Sequence, residues 1–322
     1  MKAILVEDGK LIWGEVEDPT AGPGEILIRN RATAINRADL AQRAGGYPPP
    51  PGASEILGLE CAGEVIGIGE GVRTYKEGDQ VCALLAGGGY AERVVVHAGQ
   101  ALPVPGGIEV RDAAALPEVF ATAWLNIYME ARAQVGERVL LHAGASGVGT
   151  AAIQLCREFN NPCFVTAGSE EKIAQCKALG AEDGVNRHEG SFADRVSEWT
   201  SGEGVDVILD PVGGSYLNDN LRSLNRDGRL VIIGLMGGAS AEVALGLMMV
   251  KRLRIIGSTL RARTVAAKSQ VMDELRDRVW PLIEEGKIKP IIETRLPITE
   301  AEQAHQLIAS NETVGKVILT ID

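Results

Sequence analysis

Several features that mark other classes of protein are missing from this 322-residue sequence. No apolar stretch approaches the roughly 18 uncharged residues of a transmembrane helix. The N-terminus, MKAILVEDGK, reaches acidic residues too early for a secretory signal. A net charge of −11 argues against nucleic acid or an anionic membrane as the main partner. We therefore expect a cytoplasmic protein whose partner is a small molecule, with no nucleic acid and no membrane.

Cysteine and histidine are scarce and scattered. The five cysteines are an odd number without a Cys-x-x-Cys pair, so buried, reduced thiols are the simplest interpretation. The four histidines show no His-Glu-x-x-His spacing and no neighbouring cysteine cluster. The sequence therefore predicts no metal site.

The sequence is organised in three sections. Residues 1–117 contain short strands separated by glycine turns, which indicates a mostly β lobe. In residues 118–260, nearly all-apolar strands alternate with helices, a pattern typical of a parallel sheet buried on both faces. Residues 261–322 begin with a helix broken at Pro281 and end in a strand, KVILTI, which we expect to return to the first lobe. The predicted fold class is α/β, with a Rossmann-type doubly wound parallel sheet plus a mostly β domain.

A glycine-rich turn lies at the start of the second section. In LLHAGASGVGTAAIQL, Leu140–Leu155, an apolar strand ends in Gly144-x-x-Gly147-x-Gly149 and opens into a helix. Such a turn lets backbone N–H groups at a helix N-terminus approach a pyrophosphate. The spacing differs from G-x-G-x-x-G, and close packing of strand on helix without a ligand explains three glycines equally well.

Several motifs in order resemble one family along the whole chain. They are NRADLAQRAGGYPPPPGASEILGLECAG (Asn36–Gly63), HAGASGVGTAAIQL, TAGSEEK (Thr166–Lys172), GLMGG (Gly234–Gly238) and GSTLRAR (Gly257–Arg263). The chain resembles the quinone oxidoreductase branch of the medium-chain dehydrogenase/reductase superfamily, and within it the tumour-suppressor-inducible type. The resemblance implies a GroES-like catalytic domain beside the Rossmann domain.

Zinc-dependent members of that superfamily carry Cys-x-x-Asp and Gly-His-Glu in the first lobe. Here the same positions are Asn36 to Asp39 and Gly58-Leu59-Glu60, so the cysteine and histidine ligands are absent. A quinone or conjugated enone is already electron-poor and can accept hydride without a Lewis acid. The resemblance therefore implies NADPH-dependent, zinc-independent reduction of quinones, by hydride or electron transfer in a cleft between the domains.

The choice of cofactor depends on the residues that follow the second strand of the parallel sheet. Gly168 and Ser169 precede Lys172, and Ser169 is a good helix N-cap. A cation in the first helical turn opposes the helix dipole, unless it faces an anion such as a 2′-phosphate. Arg187, after the third strand, is expected on the same side. Glu170 and Glu171 keep NADH as the alternative to NADPH.

The resemblance also implies specific cofactor contacts. Four residues of the glycine-rich turn would contact the pyrophosphate and three after a later strand would lie on the nicotinamide side, where a simple loop is the alternative. Two further residues are carried over from the family. These sets are Ala145, Ser146, Gly147 and Val148; Gly234, Leu235 and Met236; and Thr259 with Lys316.

The predicted substrate residues are Asn36 and Tyr47. Asn36 could hydrogen-bond the substrate or simply form a turn. Tyr47 precedes four prolines whose stiffness could hold its ring over the cleft, and an exposed loop aromatic is the alternative. Some relatives have another tyrosine at position 41, which is alanine here, so we expect a wider pocket.

Two alternative functions and one assembly are also predicted. An NADPH-dependent enone or alkenal double-bond reductase needs the same residues as a quinone reductase. A non-catalytic NADPH-binding protein would need only the cofactor site. By analogy with relatives, the strand RIIGST and its neighbours predict a homodimer formed by pairing of sheet edges.

Overall fold

The computed structural model describes all residues from Met1 to Asp322. They form two compact units, which we describe separately. Unit 1 comprises Met1–Ala121 and Leu260–Asp322, and unit 2 comprises Thr122–Thr259. The boundary at residue 121 falls within helix α3 (Pro117–Trp124).

Unit 2 is built on one six-stranded parallel sheet in the order β10-β9-β8-β11-β12-β13. This order places the first strand of the unit, β8, beside the fourth, β11, so the chain reverses its direction of winding between them. Ligands of open parallel sheets bind at such a point, beyond the carboxyl ends of the strands. The strands are β8 (Val139–Leu141), β9 (Cys163–Ala167), β10 (Asp183–Asn186), β11 (Val205–Asp210), β12 (Leu224–Ile232) and β13 (Arg254–Gly257).

Helices connect these strands, and a buried apolar cluster that includes Leu140, Phe164 and Ile208 fills the space beneath some of them. Ser169 begins α5 as its N-cap by accepting a hydrogen bond from Lys172 N, and Gly180 ends it at a φ of +123°. The helices are α4 (Gly147–Glu158), α5 (Glu170–Leu179), α6 (Phe192–Trp199), α7 (Leu217–Ser223) and α8 (Leu245–Lys251), after a π-helical segment at Leu125–Glu130.

Unit 1 contains a mostly antiparallel sheet in the order β14-β15-β3-β4-β5-β7, with β6 also paired to β3. The last strand of the chain, β15, pairs with β3, so the C-terminal segment belongs to the same sheet as the N-terminal residues. A separate hairpin joins β1 and β2. The strands are β1 (Lys2–Glu7), β2 (Lys10–Glu15), β3 (Glu25–Ala34), β4 (Glu60–Ile68), β5 (Gln80–Leu84), β6 (Arg93–His97), β7 (Ala101–Pro103), β14 (Ile292–Pro297) and β15 (Lys316–Thr320).

Five helices lie wholly within unit 1, in addition to the first part of α3. The helical pattern before Pro281 is divided, because α9 ends at Arg278 and α10 begins at Trp280 with the proline in its first turn. The helices are α1 (Arg37–Arg43), α2 (Val110–Ala113), α9 (Val265–Arg278), α10 (Trp280–Glu284) and α11 (Ala301–Ser310).

Two kinds of feature are absent from the structure. No helix has the length and apolar character needed to span a bilayer. No group of three or more His, Cys, Asp or Glu side chains is placed to hold a metal ion. All five cysteines are buried and unbridged, as the sequence indicated.

Candidate functional site

The glycine-rich turn of unit 2 lies at the carboxyl end of β8, where α4 begins. Adding a Cβ to Gly149 would place it 2.4 Å from the carbonyl oxygen of Gly144, and a Cβ on Gly144 would lie 2.7 Å from the Cβ of Val165. Close packing of strand and helix therefore explains these two glycines. A bound ligand is therefore not needed to explain why Gly144 and Gly149 are glycines.

The N-terminus of α4 still provides hydrogen-bond donors. Ser146, which is exposed, caps the helix by accepting from Gly149 N at 3.1 Å. The N–H groups of Gly147 and Val148 belong to the first helical turn, which has no intrahelical acceptors. Both residues are half-buried, and Ala145 just before them is buried. This donor set suits an anionic diphosphate at the positive end of the helix.

Two cations lie near the carboxyl ends of β9 and β10. An added Cβ on Gly168 would be 3.6 Å from Nη2 of Arg187, so the guanidinium of this exposed residue lies next to Gly168. Arg187 Nε donates to His188 at 3.2 Å and forms no ion pair. Lys172 is half-buried in the first turn of α5. The donor chemistry here fits a terminal phosphate better than ribose hydroxyls alone.

A buried polar network fixes three of the strand ends. His142, directly after β8, contacts Thr166 Oγ1 at 3.1 Å and Asn220 Oδ1 at 2.7 Å. Asn220 donates to Asp210 at 2.9 Å, and Asp210 accepts from the N–H groups of Val212 and Gly213. Burial lowers the pKa of His142. The network therefore uses a neutral imidazole and holds the ends of β8, β9 and β11 in place.

The remaining cofactor residues predicted in unit 2 also follow parallel strands. Gly234 comes just after β12, and its loop packs on the one after β11, where Gly237 N donates to Val212 O at 2.7 Å. Leu235 and Met236 are exposed, and Thr259 is exposed two residues beyond β13. The predicted cofactor residues of unit 2 thus all follow the carboxyl ends of the parallel strands.

In unit 1, Asn36 is part of a buried hydrogen-bond network. Its amide donates to Ala34 O at 3.1 Å and to Glu60 Oε1 at 2.9 Å, and its Oδ1 accepts from Lys316 Nζ at 2.7 Å. Lys316 also donates to Ile35 O and pairs with Glu60 at 2.7 Å. Both amide hydrogens of Asn36 and the Lys316 ammonium are therefore engaged within unit 1.

A second buried network begins at Asp39. Its carboxylate accepts from Asn36 N at 2.8 Å, Gly58 N at 3.1 Å and the Tyr90 hydroxyl at 3.2 Å. The Tyr90 hydroxyl lies 3.1 Å from His305 Nε2. Burial raises the pKa of Asp39 to about 6 and lowers the pKa of His305 to about 4. Each shift disfavours the charged form.

Tyr47 is half-buried, and its backbone and ring both contact Arg261. No hydrogen bond of the structure uses the Tyr47 hydroxyl. Burial, more than the nearby Glu118 carboxylate, raises the pKa of Tyr47, although Arg261 opposes the shift. The hydroxyl is therefore a neutral donor near pH 7.

Sequence reasoning missed the charged residues near Tyr47 and the His142 network. Glu118 and Arg261 are distant from Tyr47 in sequence, and only the motif GSTLRAR hinted that Arg261 mattered. His142 interrupts an otherwise apolar strand pattern, which was the one local signal for a satisfied buried group.

Comparisons with known proteins identify the family of this chain. Residues 22–106 match the alcohol dehydrogenase GroES-like domain, and residues 147–277 match the zinc-binding dehydrogenase domain. The chain is 32% identical to quinone oxidoreductase of Rattus norvegicus over 312 residues, covering 96% of this chain and 93% of the rat protein. It belongs to the quinone oxidoreductase branch of the medium-chain dehydrogenase/reductase superfamily.

Two further similarities extend the comparison for this member of the branch. The Escherichia coli quinone oxidoreductase, solved in complex with NADPH, superposes with a TM-score of 0.88 at 28% identity over 99% of both chains. A mycocerosic acid synthase-like polyketide synthase of Mycolicibacterium smegmatis is 33% identical over 95% of this chain, which spans only 14% of that synthase. The predicted α/β fold, with a Rossmann-type and a GroES-like domain, is confirmed, and the protein is an oxidoreductase by family.

Proposed function

We propose that this protein reduces quinones with NADPH as the hydride donor, without zinc. When bound, NADPH supplies the hydride. The observation that carries the choice of cofactor is the position of Arg187 over Gly168, with Lys172 in the adjacent helical turn. Two cations at the end of β9 match a 2′-phosphate, and the solved relative from Escherichia coli is an NADPH complex.

In this proposal, the cofactor is held by the donors and cations of unit 2. The N–H groups of Gly147 and Val148 bind the diphosphate, and Gly168, Ser169, Lys172 and Arg187 surround the 2′-phosphate. Gly234, Leu235, Met236 and Thr259 are assigned to the nicotinamide side. The positive, N-terminal end of the α4 helix dipole adds to the attraction for the diphosphate.

In unit 1, Tyr47 is the residue that we assign to the acceptor. Its hydroxyl is neutral and uncommitted, so it can donate to the carbonyl oxygen on which negative charge develops. Asn36 has both amide hydrogens engaged, and we assign it to holding the backbone at the start of α1 together with Lys316. In this proposal Asn36 is a structural support and not a direct donor to the substrate.

The quinone assignment follows from the side chains at the positions that bind zinc in other members. Asn36 and Leu59 lack the ligand atoms of the cysteine and histidine that stand there in zinc-dependent relatives. An acceptor that is already electron-poor needs only positioning and a hydrogen bond. An alcohol needs removal of a proton and stabilisation of an alkoxide as well.

A conjugated enone is the second candidate acceptor, because its carbonyl oxygen would accept the same hydrogen bond from Tyr47. The similarity to a polyketide synthase segment keeps this candidate relevant. A protein that binds NADPH without catalysis is the third candidate.

Initial rates of NADPH and NADH oxidation separate these candidates. They should be measured anaerobically with an ortho-quinone, a para-quinone and a simple enone. We expect quinone turnover with a strong preference for NADPH. A higher kcat/KM on the enone would favour the double-bond reductase, and tight NADPH binding without turnover would favour the non-catalytic protein.

We also propose a homodimer formed at the free edge of the unit 2 sheet. Strand β13 is the terminal strand of the sheet, so its outer edge is unpaired. Helix α8, which precedes β13, carries the apolar side chains of Leu245, Met249 and Val250, which are 68%, 77% and 72% exposed. A dimer interface would bury such side chains. Light scattering at micromolar concentration should give twice the mass of one chain. A monomer mass would contradict the proposal.

A further inference from the structure

The side chain of Arg261 joins three separate segments of unit 1. It is 3% exposed, and its guanidinium donates from Nε to Ala86 O at 2.7 Å. Nη2 donates to Gln42 Oε1 at 2.7 Å, and Nη1 donates to Tyr47 O at 3.1 Å. These bonds connect the end of α1, the loop after β5 and the loop that carries Tyr47. The position of the Tyr47 backbone therefore depends on Arg261.

Arg261 also holds the Tyr47 ring. Its Cζ lies 5.3 Å from the ring centroid, within the range of a cation–π contact. No other aromatic side chain stacks on Tyr47, whereas Tyr90, Tyr128 and Tyr216 each have ring partners. One face of the ring is thus covered by a planar cation, and the opposite face is not used by another ring.

This guanidinium is held without a salt bridge. Burial lowers the pKa of Arg261, and the nearby acidic groups of Tyr47, Asp39 and Glu118 oppose that shift. Lys268, which is 5% exposed, donates to the Arg261 carbonyl oxygen at 3.4 Å and adds a second buried cation. A buried cation is costly unless its donors are satisfied. The planar guanidinium of Arg261 satisfies its donors by bonding three acceptors at once. A lysine ammonium cannot reproduce this arrangement.

We propose that Arg261 is a positioning residue that holds Tyr47 as a platform for flat, conjugated acceptors. The guanidinium covers one face of the ring and holds it in place, and a flat, polycyclic ortho-quinone stacks on the other face. Stacking grows with the flat area shared by the two partners, so small aliphatic enones gain less from the platform. The inference rests on the proposed function, because it assigns the acceptor to Tyr47.

The first experiment compares Arg261→Lys with the wild type on a polycyclic ortho-quinone and on a small aliphatic enone. We expect kcat/KM for the quinone to fall about tenfold or more and that for the enone to fall less than about threefold. The affinity for NADPH, measured by fluorescence titration, should not change. The matched control is Arg276→Lys, which alters an exposed arginine of the same unit and should change none of these values.

A double-mutant cycle shows whether Arg261 acts through Tyr47. In a Tyr47→Ala background, Arg261→Lys should cause no further loss of quinone kcat/KM, since the platform is already gone. A merely structural role would lower quinone and enone rates equally, and the loss would persist in the Tyr47→Ala background. Either result would overturn the proposal.

The second experiment needs no turnover, so it separates this inference from the proposed function. The chain has five tyrosines, which fluorotyrosine labelling converts into five fluorine resonances, and Tyr47→Phe assigns that of Tyr47. Arg261→Lys should shift or broaden the Tyr47 resonance and leave that of Tyr90 in place. An unmoved Tyr47 resonance refutes the inference, whereas a wild type without turnover refutes only the proposed function.

A milder variant covers the case in which Arg261→Lys fails to fold. Gln42→Ala removes one of the three acceptors and leaves Arg261 intact. We expect the same direction of change as for Arg261→Lys, both in the ratio of quinone to enone kcat/KM and in the Tyr47 resonance, at a smaller size. If Gln42→Ala leaves both unchanged, the three-point support of Tyr47 is wrong.

Discussion

The two units place their polar groups in opposite ways. In unit 2, most candidate cofactor residues are exposed or half-buried at the carboxyl ends of the parallel strands, where Ser146 and Arg187 are exposed and a helix terminus offers N–H groups. In unit 1, the polar residues around Asn36 are buried, and Lys316 and Glu60 are 4% and 0% exposed at their side chains. The first arrangement is ready to exchange water for a charged ligand, and the second is already satisfied by its own partners.

This difference predicts where mutations reveal function and where they reveal stability. An exposed cation such as Arg187 contributes little to folding, so its removal should change ligand binding. A buried ion pair leaves an uncompensated charge when one partner is removed, so its loss should destabilise the protein. The following predictions test this contrast, starting with the largest expected effect.

Removal of the Lys316 ammonium should cost the most stability. Lys316→Met leaves the Glu60 carboxylate buried without its cation, and we expect a loss of about 3–5 kcal/mol in the free energy of unfolding. Urea unfolding measures this value. Adding Glu60→Gln should recover part of the loss, because the buried charge is then gone.

Arg295→Ala is the control for that variant. Arg295 pairs with Asp112 through two bonds of 2.7 Å, but its side chain is 48% exposed. We expect a change of at most about 1 kcal/mol. Equal losses for Lys316→Met and Arg295→Ala would remove the distinction between the buried and the exposed pairs.

The next prediction concerns the dependence of stability on pH. The pKa of Asp39 is raised from 3.8 to about 6, so its contribution to stability is present below pH 4 and lost as the pH rises through 6. The pKa of His305 is lowered from 6.5 to about 4, so its contribution is present above pH 6.5 and lost as the pH falls through 4. The two dependences have opposite signs over nearly the same range.

Single substitutions should expose these opposed dependences. As the pH rises from 4 to 6, the wild type loses the Asp39 contribution and Asp39→Asn does not. The free energy of unfolding of the variant should therefore rise by about 3 kcal/mol relative to that of the wild type, at about 1.4 kcal/mol per pKa unit. His305→Gln should lose a similar amount over pH 4 to 6.5. Denaturant unfolding at several pH values gives both differences. Curves parallel to that of the wild type would show that these groups are not shifted as described.

The smallest effect on stability, and the clearest effect on binding, is expected in unit 2. Lys172→Ala should raise the KM for NADPH by about tenfold, because a charge-assisted contact with the 2′-phosphate is lost. The KM for NADH and the unfolding free energy should change little. Arg187→Ala should show the same selectivity, and Lys177→Ala, on the same helix but farther along, is the control. Equal changes for the two cofactors would refute the phosphate assignment.

Much of unit 2 could be predicted from sequence because its information is local. The turn from Leu141 to Gly147 and the cap at Ser169 are each encoded within a few residues. The carboxyl ends of parallel strands lie on the same side of the sheet, so the loops that follow the strands can be named from the sequence as candidate ligand-binding segments. The ligand contacts of those loops and the sheet-edge dimer remain predictions.

Unit 1 could not be predicted in the same way. The sequence marked Asn36 and Tyr47 but gave no sign that Lys316 bonds Asn36, that Arg261 holds Tyr47 or that His305 meets Tyr90. These partners are more than 200 residues apart and are joined only when the C-terminal segment completes the sheet.

The sequence by itself determined the α/β class, the position of the glycine-rich turn, the absence of zinc-ligand residues at Asn36 and Leu59, and the family. Those properties depend on periodicity and on residue type, which are local. Only the tertiary structure decided that Asn36 is fully bonded, that Tyr47 keeps a free hydroxyl, and which buried charges balance one another. Hydrogen bonds and charge pairing depend on distance in space, and burial, which sets their strength, arises only when the whole unit is packed.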